Sequence, residues 1–187
     1  KKSNREEMEF HELDSQYSVG TAKTGDTGRS QTIQFFHGSE VAFWRAAEDI
    51  SSGAMEGIPD APGTEVYLES TAQGFGGYFH SMWQNAIYPG EEKHSKWNGY
   101  VRVFIPWTWQ DEYRAAVDGP LELTKEEASL RKLHKMDDEQ IQFRRIKISK
   151  MKNDVNRFKR DYPLTPEDAF NSALTNVLIQ SDKVLKA

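Results

Sequence analysis

The run Thr32-Ile33-Gln34-Phe35-Phe36-His37-Gly38-Ser39-Glu40-Val41-Ala42-Phe43-Trp44 constrains this chain most. A β-prone segment, Ile33 to Phe36, gives way to a small residue, a hydroxyl and a carboxylate. Val41-Ala42-Phe43-Trp44 then leads into a helical pattern. In open parallel sheets, ligands bind outside the carboxyl ends of the strands, so a buried strand that runs into Glu40 puts an acid in that crevice. The same residues also read as a strand closed by an acidic turn with no chemistry.

A second run has the same design. Glu65-Val66-Tyr67-Leu68-Glu69-Ser70-Thr71-Ala72-Gln73-Gly74-Phe75-Gly76 is a strand pattern that ends in hydroxyls and glycines, with a helix-like segment, Tyr78 to Trp83, behind it. Two strands, each followed by a helix, therefore carry polar groups to one edge of a sheet. There a carboxylate such as Glu40 polarises a water for attack on a γ-phosphate.

Around these runs the chain reads in order. Met8 to Leu13 alternates apolar and polar residues, Asp14-Ser15 turns, and Tyr17 to Ala22 returns as the second strand of a hairpin. Lys23 to Ser30 is a glycine- and threonine-containing loop that carries Arg29. Helices are predicted over Phe43 to Met55 and Phe75 to Ile87, and a further strand over Tyr100 to Ile105. The strand–helix repetition predicts an α/β fold with a mainly parallel sheet. Beyond Pro106 the character changes. The aromatics Trp107 and Trp109 fit either a base-stacking platform or a packing contact of a subdomain. Thr124-Lys125-Glu126-Glu127 is a capping box, Asp137 to Gln140 opens a helix in the same style, and Thr165-Pro166-Glu167-Asp168 opens another with Pro at its first position.

Composition narrows the class. Five Trp and ten Phe in 187 residues argue against a disordered chain. There is no Cys, so neither a disulfide framework nor a thiolate metal site exists. His11, His37, His80, His94 and His134 lack the spacing of a zinc site. No apolar run reaches the ~20 residues of a membrane span, and the N-terminus has neither an apolar signal core nor an initiator Met, as expected of a chain that begins inside a longer protein. Within an acidic chain of net charge −5, residues 144–160 hold Arg144, Arg145, Lys147, Lys150, Lys152, Arg157, Lys159 and Arg160 against Asp154 alone. That stretch fits either a DNA backbone or a solvated helix face.

Taken together, Gly28-Arg29, His37 to Trp44, Glu69 to Gly76, Pro106-Trp107 and Phe158 to Phe170 occur in the order found in the large terminase subunit of tailed bacteriophages, and the chain resembles that family over most of its length. The resemblance implies a P-loop-NTPase-type sheet over residues 1–118, the second half of the ATPase core, and a helical lid or linker subdomain over residues 119–187. It implies Glu40 as catalytic carboxylate, Arg29 as an arginine finger acting within the protomer or from a neighbour, and Ser70-Thr71-Ala72 as the coupling segment beside ATP. The family's usual Asp before the glutamate is Ser39 here, which brings a hydroxyl without charge and implies ordering of Mg2+ through water. No GxxxxGK[ST] phosphate loop is present; Gly25-Asp26-Thr27-Gly28-Arg29-Ser30 lacks the lysine and the spacing. The resemblance places that loop upstream of Lys1 and the nuclease acids beyond Ala187, so this chain alone is expected to be inactive. The implied partners are double-stranded DNA, the portal protein and the small terminase subunit, with a homo-oligomeric ring on the portal, no membrane, and a location in the infected host's cytoplasm rather than the mature virion. Two other readings remain open at this point: a non-catalytic DNA-binding or assembly module, such as a truncated prophage remnant, and an unrelated α/β nucleotide hydrolase.

Overall fold

The computed structural model describes residues 7–22 and 32–172. The chain divides into two compact units, Lys1–Thr71 and Ala72–Ala187. It is mixed α/β, with one antiparallel and one parallel two-stranded sheet among the described residues.

In the first unit, β1 (Glu7–Phe10) pairs antiparallel with β2 (Ser15–Ser18). The reversal is longer than the sequence pattern predicts. His11–Leu13 forms a 3-10 turn, and Asp14 closes it in the left-handed region at φ 45°. The second sheet pairs β3 (Phe35–Gly38) with β4 (Glu65–Leu68), parallel, with Gly38 opposite Leu68; β3 is not the buried strand its sequence predicts, since only Gly38 is buried and Phe35 is exposed. β3 thus lies two residues C-terminal to the apolar run Ile33 to Phe36. Its register is set by β4 rather than by its own hydrophobicity: the Glu65 amide donates to Gln34 O at 2.8 Å, and the Glu69 amide donates to Gly38 O at 2.9 Å. The crossover between the two strands is α1 (Ala47–Glu56), which buries Ile50, Ser51, Gly53 and Ala54. It starts later than Phe43, because Val41–Phe43 takes a 3-10 turn and Trp44 is extended.

The second unit begins with α2 (Gly77–Asn85), shorter at both ends than the predicted helix from Phe75 to Ile87. The segment predicted as a strand from Tyr100 to Ile105 makes one parallel bridge, Ile87 with Val101, and is otherwise not in a sheet. Its exposure still alternates: Val101, Val103 and Ile105 are exposed, while the residues between them are partly covered. Period-two alternation specifies a pleat but not a partner strand.

Among the described residues four helices follow: α3 (Lys125–His134), α4 (Asp138–Lys150), α5 (Val155–Asp161) and α6 (Pro166–Ser172). Both predicted capping boxes are formed. Thr124 accepts from the Glu127 amide while Glu127 accepts from the Thr124 amide, and Asp137 and Gln140 do the same for α4. Each box satisfies two amides that the first turn leaves without carbonyl partners. α4 and α5 are separated by Lys152 and Asn153, both left-handed, and Asp154 then caps α5 by accepting from the Arg157 amide. Trp107, Met136, Ile141, Phe143 and Phe158 form the core here, with Tyr113 and Tyr162 stacked against it. Phe158 is 2% exposed, a burial that stabilises by about 2–3 kcal/mol. Trp107 therefore serves packing, while Trp109 remains exposed. Among the described residues no helix is long and apolar enough to cross a membrane.

Candidate functional site

The carboxyl end of β3 is a narrow turn. Gly38 is buried because the Trp44 ring lies over it: a Cβ at this position would meet Trp44 Cη2 at 2.8 Å and Leu68 Cδ2 at 3.0 Å. The Trp44 indole N–H donates to Ser39 O at 2.8 Å and closes the loop from 39 to 44. Between them Glu40 sits at φ 55°, ψ 40°. A non-glycine residue held in this left-handed region costs on the order of 1–2 kcal/mol and needs outside support.

That support comes from the end of β4. The Val41 amide donates to Glu69 O at 3.1 Å, and the Ala42 amide donates to the Ser70 hydroxyl at 3.1 Å. The Phe43 amide closes back on Glu40 O at 2.9 Å. The acid turn and the residues after β4 are thus one hydrogen-bonded assembly. The Glu40 side chain is exposed, with no hydrogen-bond or ion-pair partner among the described residues. A carboxylate free of ion pairs keeps its acceptor oxygens for a water or a ligand. Beside it, His37 Nε2 lies 3.4 Å from Glu69 Oε1 on the exposed surface.

The residues singled out from sequence fall as follows. Glu40, Ser39, Ser70 and Thr71 belong to the first unit; Glu40, Ser39 and Thr71 are exposed, and Ser70 is half-buried. Ala72 opens the second unit, and Arg29 lies outside the described residues. Sequence reasoning missed Gly38 and Trp44 as the frame of the turn. The available signal was a glycine at the strand end with an indole six residues later. Among the described residues no group of three or more His, Asp or Glu is arranged to hold a metal ion.

The basic stretch is less basic than its composition. Arg144 pairs with Glu126 at 2.7 Å, and Arg145 with Glu127 at 2.7 Å. Lys147 lies over the Phe143 and Tyr162 rings, and Arg157 and Arg160 both reach Asp161. Lys150, Lys152 and Lys159 keep no ion-pair partner among the described residues. Glu127 is held at about 2, against an ordinary 4.5, chiefly by the Arg145 hydrogen bonds; burial opposes this, and the Thr124 amide adds to it. Elsewhere in the second unit, burial lowers the His80 pKa where its ring packs edge-on against Phe75 and Phe170. The chain matches no protein-family model, no curated protein and no solved structure.

Proposed function

We propose that this chain is part of the ATP-driven DNA-packaging motor that the large terminase subunit forms, with Glu40 as the carboxylate that orients the attacking water. One observation carries the reading: a parallel strand pair delivers a partner-free, left-handed Glu40 and the Ser70-Thr71 segment to the same end, joined by hydrogen bonds. In larger open α/β sheets, ligands bind outside the carboxyl ends of parallel strands, the end to which β3 carries Glu40. In the reading, β3 and β4 belong to a larger P-loop-NTPase-type sheet over residues 1–118, and residues 119–187 are the helical subdomain. Ser39 orders hydrated Mg2+, Ser70, Thr71 and Ala72 border the nucleotide, and Arg29 stabilises charge on the transferring phosphoryl group. The 187 residues hold no glycine-rich phosphate loop, and the reading assigns the β- and γ-phosphates to residues outside this sequence. DNA, the portal protein and the small terminase subunit are the partners, in a ring that works in the host cytoplasm.

Glu40→Gln in the packaging ATPase that contains this chain tests the reading. Turnover should fall by about 10²–10⁴, the usual contribution of a general base, while ATP binding persists. Turnover near wild type removes Glu40 from the mechanism. The second reading, a non-catalytic DNA-binding or assembly module, is favoured by the absent phosphate loop together with Lys150, Lys152 and Lys159.

A further inference from the structure

The turn after β3 depends on the segment after β4 in a directional way. A chain that enters a 3-10 turn leaves its first amides without carbonyl partners. Here three amides follow Glu40. Phe43 is satisfied by the turn itself, at Glu40 O, while Val41 and Ala42 donate across to residues 69 and 70. Of these acceptors only the Ser70 hydroxyl is a side chain, so it is the one that a substitution can remove without altering the backbone path. The hydroxyl uses an acceptor lone pair for Ala42 and keeps its own proton to donate elsewhere.

We propose that Ser70 is a positioning residue, whose hydroxyl holds the Ala42 amide and thereby keeps Glu40 in its left-handed turn with the carboxylate exposed. The inference rests on the ATPase reading of Glu40. It adds a direction to the coupling: a displacement of Ser70, by a ligand that takes its free O–H or by movement of the segment behind it, pulls the Ala42 amide and reorients Glu40. Trp44 opposes that movement through its bond to Ser39 O and its packing over Gly38. Ser70 therefore acts on the reaction through Glu40.

Two measurements test it. In the 187-residue chain, amide hydrogen exchange at Ala42 should accelerate about five- to tenfold in Ser70→Ala, the loss of one modest hydrogen bond. Glu69, whose amide bonds Gly38 O, should be unaffected, and Ser70→Thr should restore Ala42 protection. Unchanged exchange at Ala42 in Ser70→Ala overturns the proposal. In the packaging ATPase, Ser70→Ala should lower kcat about tenfold or more with KM for ATP within about twofold, because misaimed groups cost rate rather than binding. Ser70→Thr should recover most of that loss. A raised KM with preserved kcat makes Ser70 a nucleotide contact alone and overturns the positioning role. Glu40→Gln, run in parallel, separates the two failures. Wild-type turnover in Glu40→Gln ends the ATPase reading and the proposal with it. Lost turnover there, beside wild-type kinetics in Ser70→Ala, ends the positioning role only.

Discussion

The Glu127→Gln substitution should weaken the helical layer in a pH-dependent way. The Glu127 side chain is 5% exposed. Its oxygens accept from Arg145 Nε at 2.7 Å, Arg145 Nη2 at 2.8 Å and the Thr124 amide at 2.9 Å. These bonds hold the carboxyl at about 2 rather than 4.5, a difference that corresponds to at most roughly 3 kcal/mol. The Arg145 side chain is one-third exposed, at 33%, and solvent screening brings the expected value to about 1.5–3 kcal/mol, the range for a hydrogen bond to a charged group. Glutamine keeps an acceptor for the Thr124 amide, and the backbone bond to the Thr124 hydroxyl remains, so the cap survives and only the charge is lost. Because the folded-state value is depressed, the stabilisation is fully present above about pH 4.5 and is lost as pH falls toward about 2. Urea denaturation followed by near-ultraviolet circular dichroism, compared for wild type and variant, should show the full deficit at pH 7 and most of it gone by about pH 2.5. A deficit below about 0.5 kcal/mol at pH 7, or one that does not shrink with acid, refutes the reasoning.

Gly38→Ala places a methyl 2.8 Å from the Trp44 ring and should destabilise by about 1–3 kcal/mol through overpacking; an unchanged thermal midpoint means that Trp44 does not cover the strand end. Thr71→Val keeps the shape and removes the hydroxyl; on the proposed packaging-ATPase reading, DNA translocated per ATP hydrolysed should fall while ATP binding persists. A lowered thermal midpoint with unchanged translocation per ATP leaves Thr71 only a structural role. On the proposed DNA-binding reading, replacing Lys150, Lys152 and Lys159 together by Ala should weaken DNA binding and reduce the salt dependence by up to about 0.9 per lost phosphate contact; an unchanged salt slope makes these lysines ordinary solvated charges.

What the sequence revealed and what it concealed follow a physical divide. The caps were legible at Thr124, Asp137 and Thr165, because a cap is an interaction over three residues and its donor, acceptor and spacing are all in view. The cap at Asp154 was not, since the left-handed Lys152 and Asn153 before it break a basic run that reads as continuous. The charge of residues 144–160 was legible as a sum. Its disposal was not, because Arg144 and Arg145 are taken up by Glu126 and Glu127, 18 residues earlier in the chain. The pleat of Val101, Val103 and Ile105 was readable, but its single bridge to Ile87 depends on what lies alongside.

The candidate site shows the same divide within one turn. The apolar run Ile33 to Phe36 correctly announces a strand that leads to Glu40, yet the strand is Phe35–Gly38, shifted toward the acid. That shift matters chemically. It leaves only Ser39 between the last paired residue and Glu40, so the chain must reverse direction at once, and the left-handed conformation of Glu40 is how it does so. Such a conformation is unfavourable for glutamate on its own. It persists because Glu69 and Ser70 take the two amides that the turn strands, and because Gly38 leaves room for the indole that bonds Ser39. The acid is thus local information, but its placement is not. A strand–acid motif read alone does not disclose how its turn is held, since the acceptors lie at residues 69 and 70 rather than in the motif. The parallel pairing of β3 with β4 brings those acceptors to the turn, and it gives the hydroxyl at Ser70 a supporting part in the proposed chemistry of Glu40.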